Sequence, residues 1–255
     1  MRTAQSLPAS SWAYTDSPLG SEILRAAWHP LTLWAWMSTL ASTAYILPQL
    51  GQADDPACVL SRWSRNLLRS LHIEMEFVAP IPEGAQIWVA NHLSWVDPLI
   101  LMAQRPMGTL AKAEVAAYPL LGRHACRAGL RFVDRENPTH RATALLELIR
   151  HWRTGAPFLL FPEGTTTTGG KLAPFYEGGL RAAFRLGLSV LPLHLESPDA
   201  HYAWTGEDSL PPHIHTLCRA RRTRVRIRPG PVMAPHGDEG LWLRNLRNHL
   251  EPHSN

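Results

Sequence analysis

From residue 72 onward the chain alternates between two hydrophobic rhythms. HIEMEF (72–77) sets apolar against polar residues one by one, whereas QIWVA (86–90), PFLLF (157–161) and LSVLPLHL (188–195) are short apolar runs. Near the C-terminus, RARRTRVRIRP (219–229) interleaves Val225 and Ile227 with Arg224, Arg226 and Arg228. These runs predict strands: the alternating ones have one wet face, and the continuous ones are covered on both. A helical period starts after Asn137-Pro138 and stops near Gly155. Strands separated by helices predict an α/β domain with a largely parallel or mixed central sheet flanked by helices. In such a domain the working residues sit at strand ends and in the loops that follow.

Upstream the pattern changes. Residues 31–47, LTLWAWMSTLASTAYIL, carry no charge, and their length is at the short end for crossing a bilayer. The polar leader ahead of them does not read as a secretory signal. Arg2 and Arg25 precede the run and Asp54 and Asp55 follow it, so a true span would leave the main domain outside the cytosol. Trp28, Trp34, Trp36 and Tyr45 suit headgroup depth, which favours a helix or hairpin resting in the interface; a core helix is the alternative. Next comes LSRWSRNLLRSL (60–71), with Arg62, Arg65 and Arg69 on one helical stripe and Leu60, Trp63, Leu67 and Leu71 on another. Such a helix either lies on an anionic membrane or shows a solvated face on an ordinary surface helix. The expected division is a membrane-associating helical segment over 1–56 and the working domain over 57–255.

Composition narrows the partners. At 255 residues and 45% hydrophobic, with no linker or repeat, the chain has material for one good core. A net charge of +4 and a pI near 9.2 point to lipid headgroups, phosphorylated metabolites or nucleic acid. Cys58, Cys126 and Cys218 form no CxxC pair, so neither a zinc site nor a disulfide framework is expected, and a reducing cytoplasm fits. His194, His201, His213 and His215 show no ligand spacing, so no metal is expected. The arginine strand suits phosphates of nucleic acid, but no stacking aromatics interleave it, so no nucleic-acid partner is expected.

Candidate chemistry lies in two loops. In VANHLSWVDP (89–98), His92 follows an apolar strand and Asp97 precedes Pro98, where it is predicted to cap a helix. Residues five apart in a continuous helix lie about 140° apart around the axis, but a tight loop can join them. Asp97 would then orient the imidazole and leave its other nitrogen to take a proton, as a general base does. A purely structural His–Asp pair shares this spacing. In FPEGTTTTGGKLAPF (161–175), small residues, hydroxyls, free amides and Lys171 could cradle a phosphate; a polar turn joining strand to helix is the plainer reading. No G-x-S-x-G elbow suggests a serine hydrolase.

Together with GLRFVDR (129–135), these segments resemble the glycerolipid acyltransferase family that includes the 1-acylglycerol-3-phosphate acyltransferases. NHLSWVD (91–97) matches its first block, GLRFVDR its second and FPEGT (161–165) its third; AKAEVAAYPLLG, VLPL and KLAPFYEGGL add agreement, over about residues 60–235. The resemblance implies that His92 deprotonates an acceptor hydroxyl as it attacks an acyl thioester, with Asp97 fixing the tautomer. It also implies that Arg135, Glu163, Gly164 and Thr165 bind the acceptor; Lys171 joins them on charge grounds. No bound cofactor is expected. The acyl donor is acyl carrier protein or coenzyme A thioester, the acceptor a lysophospholipid, and the place of work the cytoplasmic face of the cell membrane, peripheral or monotopic. Many members continue the third block with Arg-Ser, where this chain has Thr166 and Thr167. That loop resembles a branch containing enzymes that acylate lyso-ornithine lipid as well as others acting on lysophosphatidic acid, so lyso-ornithine lipid stands as the alternative to 1-acyl-sn-glycerol-3-phosphate. Intact His92 and Asp97 argue against a non-catalytic lipid-binding relative.

Overall fold

The apolar run at 86–90 occupies the middle of a sheet, and the reason is its uniform hydrophobicity: Ile87, Trp88, Val89 and Ala90 are all buried. In the computed structural model the described residues are 55–112, 130–133, 137–205 and 210–252. The expected interfacial run 31–47 and Arg135 lie outside them. In chain order come α1 (Pro56–Ser70), β1 (Ile73–Phe77), β2 (Ile87–Ala90), α2 (Asp97–Gln104), β3 (Gly108–Lys112), β4 (Leu130–Val133), α3 (Pro138–Trp152) and β5 (Phe158–Leu160). Then follow α4 (Gly178–Arg185), β6 (Val190–Glu196), a 3-10 turn at Ala200–Tyr202, α5 (Leu210–Arg219), β7 (Thr223–Pro229) and α6 (Glu239–Leu250).

Among the described residues, seven strands form one sheet in the order β1-β7-β6-β2-β5-β3-β4. Every neighbouring pair is parallel except β6 and β7, so the α/β expectation with a largely parallel, mixed sheet holds. Alternate residues of each strand feed opposite layers. Trp88 and Ala90 join Leu191, Leu193, Val225 and Ile227 in one core layer with Leu67, Leu68, Ile100 and Leu101 of α1 and α2. Ile87 and Val89 face the other way, onto Leu148 and Trp152 of α3, Leu180 of α4 and Trp242 and Leu246 of α6.

Two surface features differ from the simplest sequence reading. Helix α1 starts at Pro56, capped by Asp55, whose Oδ1 accepts from Ala57 N at 3.0 Å. Its leucine stripe is spent on the core, and Arg65 turns inward to donate to Ala103 O at the end of α2, 2.7 Å away. The apolar face is therefore closed to a membrane. The arginines of β7 are matched by acids on adjacent strands and on the loop after β6. Arg226 meets Glu76 at 3.3 Å and Glu196 at 3.2 Å, Arg224 meets Asp199 at 3.2 Å, and Arg228 meets Glu196 at 3.7 Å. The strand is a cross-strand ion ladder, its charge answered within the fold.

Candidate active site

The loops leaving the C-terminal ends of β2, β5 and β6 meet, because parallel neighbours deliver their ends to one edge of the sheet. The β2 loop is held first. Asn91, 2% exposed, extends the strand pairing with its side chain: Nδ2 donates to Leu195 O at 2.9 Å and Oδ1 accepts from Leu195 N at 2.7 Å. His92 follows, and its Nδ1 lies 2.8 Å from Asp97 Oδ2. An ionised carboxylate only accepts, so Nδ1 carries the proton and Nε2 is left as the basic nitrogen of the neutral ring. Phe161 stacks on the imidazole at 4.2 Å between centroids and 24° between planes. The His92 side chain is 13% exposed and that of Asp97 is 0% exposed.

Asp97 does not cap α2 as expected. It is the first residue of that helix, behind Val96, and its carboxylate turns back into the loop. There Oδ2 accepts from the amides of Leu93 and Ser94 as well as from His92. Oδ1 accepts from the hydroxyl of Tyr202, a fully buried residue that sequence reasoning missed. Burial, and then the charge of Asp97, hold the Tyr202 phenol well above its ordinary pKa, so it stays a donor.

Glu163, 2% exposed, points away from solvent. Oε1 accepts from His92 N at 2.9 Å and Oε2 from Ala173 N at 2.7 Å, so the carboxylate joins the β2 loop to the far side of its own loop. Burial pushes its pKa up, against the pull of these two amides. Pro162-Glu163-Gly164 makes the turn that aims it, with Gly164 N donating to Phe161 O and a φ of 67° at Gly164. Thr167 donates its amide to His92 O at 2.8 Å. Arg247 of α6 braces the descending loop through Leu172 O and Ala173 O and lies over Phe175 at 4.7 Å. Thr165 and Lys171 are exposed on this loop. Of the expected site residues, His92, Asp97 and Glu163 are thus brought together, while Gly164 shapes the loop and Arg135 lies outside the described residues.

Among the described residues no group of three or more His, Cys, Asp or Glu could hold a metal ion. Burial pushes the Cys218 thiol up, which disfavours a thiolate nucleophile. What the loops present is a supported His–Asp pair beside a polar, glycine-rich loop at the edge of a parallel sheet. Such an arrangement is able to take up a proton at His92 Nε2.

The comparisons with known proteins agree with the geometry. The chain belongs to the acyltransferase family: the family model "Acyltransferase" matches residues 72–196. A lyso-ornithine lipid O-acyltransferase from Pseudomonas aeruginosa is 34% identical over 70% of each chain. A 1-acyl-sn-glycerol-3-phosphate acyltransferase from Neisseria meningitidis is 31% identical over 64% of this chain and 67% of its own length. Another of that name, from Cocos nucifera, is 31% identical over 57% of this chain but 42% of its own. In fold, the chain resembles the crystal structure of the 1-acyl-sn-glycerophosphate acyltransferase PlsC from Thermotoga maritima. The TM-score is 0.59, the sequence identity 20%, and the coverage 87% of this chain and 92% of that one. The protein is an acyltransferase enzyme.

Proposed function

We propose that the protein transfers a fatty acyl group from a thioester to the free hydroxyl of a lysolipid, with His92 as general base and Asp97 as its orienting carboxylate. The hydroxyl oxygen attacks the thioester carbonyl carbon while His92 Nε2 takes its proton. The tetrahedral intermediate collapses with cleavage of the C–S bond, and the imidazolium returns the proton to the departing thiolate. Asp97 stabilises the imidazolium between these steps. The observation that carries this reading is the 2.8 Å contact between His92 Nδ1 and Asp97 Oδ2 at the end of the central strand. Replacing His92 by Ala should cost about 10²- to 10⁴-fold in turnover with the fold intact. A folded His92→Ala protein with near-normal turnover refutes the mechanism.

For the acceptor, the reading best supported by charge is 1-acyl-sn-glycerol-3-phosphate, with Arg135 and Lys171 as the cations for its phosphate and Gly164 and Thr165 as further acceptor-binding positions. Lyso-ornithine lipid carries an ammonium as well as a carboxylate, and the carboxylates best placed in sequence to receive it are engaged. Glu163 is bound by two amides and Glu177 by Arg181 at 2.6 Å. The similarity to the Pseudomonas aeruginosa enzyme and the Thr166-Thr167 loop favour lyso-ornithine lipid as the second reading. Competition between the two lysolipids for one acyl thioester, from acyl carrier protein or coenzyme A, decides between them. The lysophosphatidic reading requires Arg135→Ala to raise KM for the phosphate acceptor far more than for the donor. Among the described residues no helix is long and apolar enough to cross a membrane. We assign attachment to the cytoplasmic membrane face to residues 1–56, with 57–255 as the acyltransferase domain, because the aromatic run 31–47 suits an interface.

A further inference from the structure

After β6, residues 197–204 form a strap that is tied at both sides. On the β7 side, Ser197 Oγ donates to Arg224 O at 2.6 Å, and Asp199 accepts from Arg224 N at 2.7 Å and from its guanidinium at 3.2 Å. His201 Nε2 lies 2.8 Å from Thr223 Oγ1. On the catalytic side, Trp204 N donates to Leu93 O at 2.8 Å and the Tyr202 hydroxyl donates to Asp97 Oδ1. Tyr202 itself is 0% exposed. The ion ladder of β7 thus anchors a segment whose inner end grips the catalytic loop.

We propose that Tyr202 is a positioning residue for acyl transfer: its hydroxyl holds the Asp97 carboxylate in the orientation that presents Oδ2 to His92 Nδ1. The terminal torsion of an aspartate is broad, and the other three donors, His92 Nδ1 and the amides of Leu93 and Ser94, all meet Oδ2, so they leave the carboxylate free to turn about that oxygen. A rigid, buried phenol on the opposite oxygen removes that freedom. It also draws part of the carboxylate charge to Oδ1, which moderates how strongly Asp97 stabilises the imidazolium. The assignment rests on His92 acting as general base.

The test is steady-state kinetics of Tyr202→Phe in the full chain, with a long-chain acyl thioester and lysophosphatidic acid, read alongside thermal melting. Loss of one hydrogen bond to a charged group should lower kcat about 10- to 100-fold, with both KM values within about twofold of wild type. The acid limb of the kcat profile should move to higher pH, because an unshared carboxylate holds the proton on the imidazole more tightly. Site-specific 3-fluorotyrosine at 202, a better donor of nearly the same size, should keep kcat and move the limb the other way; it also serves as the test if Tyr202→Phe fails to fold. An unmoved pH limb in both variants overturns the proposal, even if kcat falls, since a packing role alone would do that. Inactivity of His92→Ala beside wild-type Tyr202→Phe sinks only the Tyr202 assignment. Activity in His92→Ala sinks the general-base reading beneath it.

Discussion

Glu163 was expected to bind the acceptor, yet its carboxylate joins two loops, and these roles separate on substitution. Glu163→Ala removes the acceptor for His92 N at 2.9 Å and for Ala173 N at 2.7 Å. Each buried donor left without a partner costs about 1–3 kcal/mol, but the wild type also carries the penalty of a charge held at 2% exposure. The net loss should be about 1–3 kcal/mol, or roughly 2–12 °C in Tm for a domain of this size. Because one of the released amides belongs to His92, the imidazole should drift, and a displacement near 1 Å costs about 10²-fold in kcat. Calorimetry and steady-state kinetics on the same preparations read both quantities. An unchanged Tm and kcat with a raised KM for the lysolipid would refute the clamp and restore acceptor binding. The sign of the pH effect follows from burial, which raises the Glu163 pKa above the ordinary 4.5. The folded state then holds its proton more tightly than the unfolded chain. Glu163 therefore contributes stability fully present below about pH 4.5 and lost as pH rises through the folded value. Glu163→Gln cannot titrate, so the wild-type Tm should gain on that of Glu163→Gln as pH falls from neutrality toward 4.5. A pH-independent gap would contradict the burial argument.

Gly169 has a φ of +84°, and a Cβ there would stand 3.0 Å from Cδ2 of Leu93, the residue after His92. Gly169→Ala should cost about 1–3 kcal/mol in urea unfolding, and an unchanged midpoint would mean that the loop does not seat on Leu93. Deleting residues 1–50 should move the protein from the membrane pellet to the supernatant while activity on detergent-dispersed substrate survives. Aggregation of the truncated chain would instead make the aromatic run part of the fold.

Five strands, β1, β2, β5, β6 and β7, were legible in the sequence because a period of two and a short apolar run are local properties, and Ile87–Ala90 carries its central place in its own side chains; Gly108–Lys112 and Leu130–Val133 were not read as strands. The His92–Asp97 pair was legible for a similar reason: five residues of loop are enough to bring one ring nitrogen to one carboxylate. The direction in which Asp97 caps was not, since α2 opens without a side-chain cap while the loop amides of Leu93 and Ser94 and the ring of His92 compete for the same oxygen. Charge runs left alternatives open because their partners lie far away in sequence. Arg226 gains Glu76 only because β1 pairs with β7 across 150 positions, and Arg65 turns inward only because α2 ends beside it. Tyr202 lies 105 residues from Asp97, and nothing in its sequence neighbourhood marks it as a donor to that carboxylate. Local chain stiffness and periodicity decide which segments become strands, helices and turns. Which buried polar atom meets which depends on the order of strands in the sheet, because a desolvated carboxylate takes whatever donors the packing brings to it.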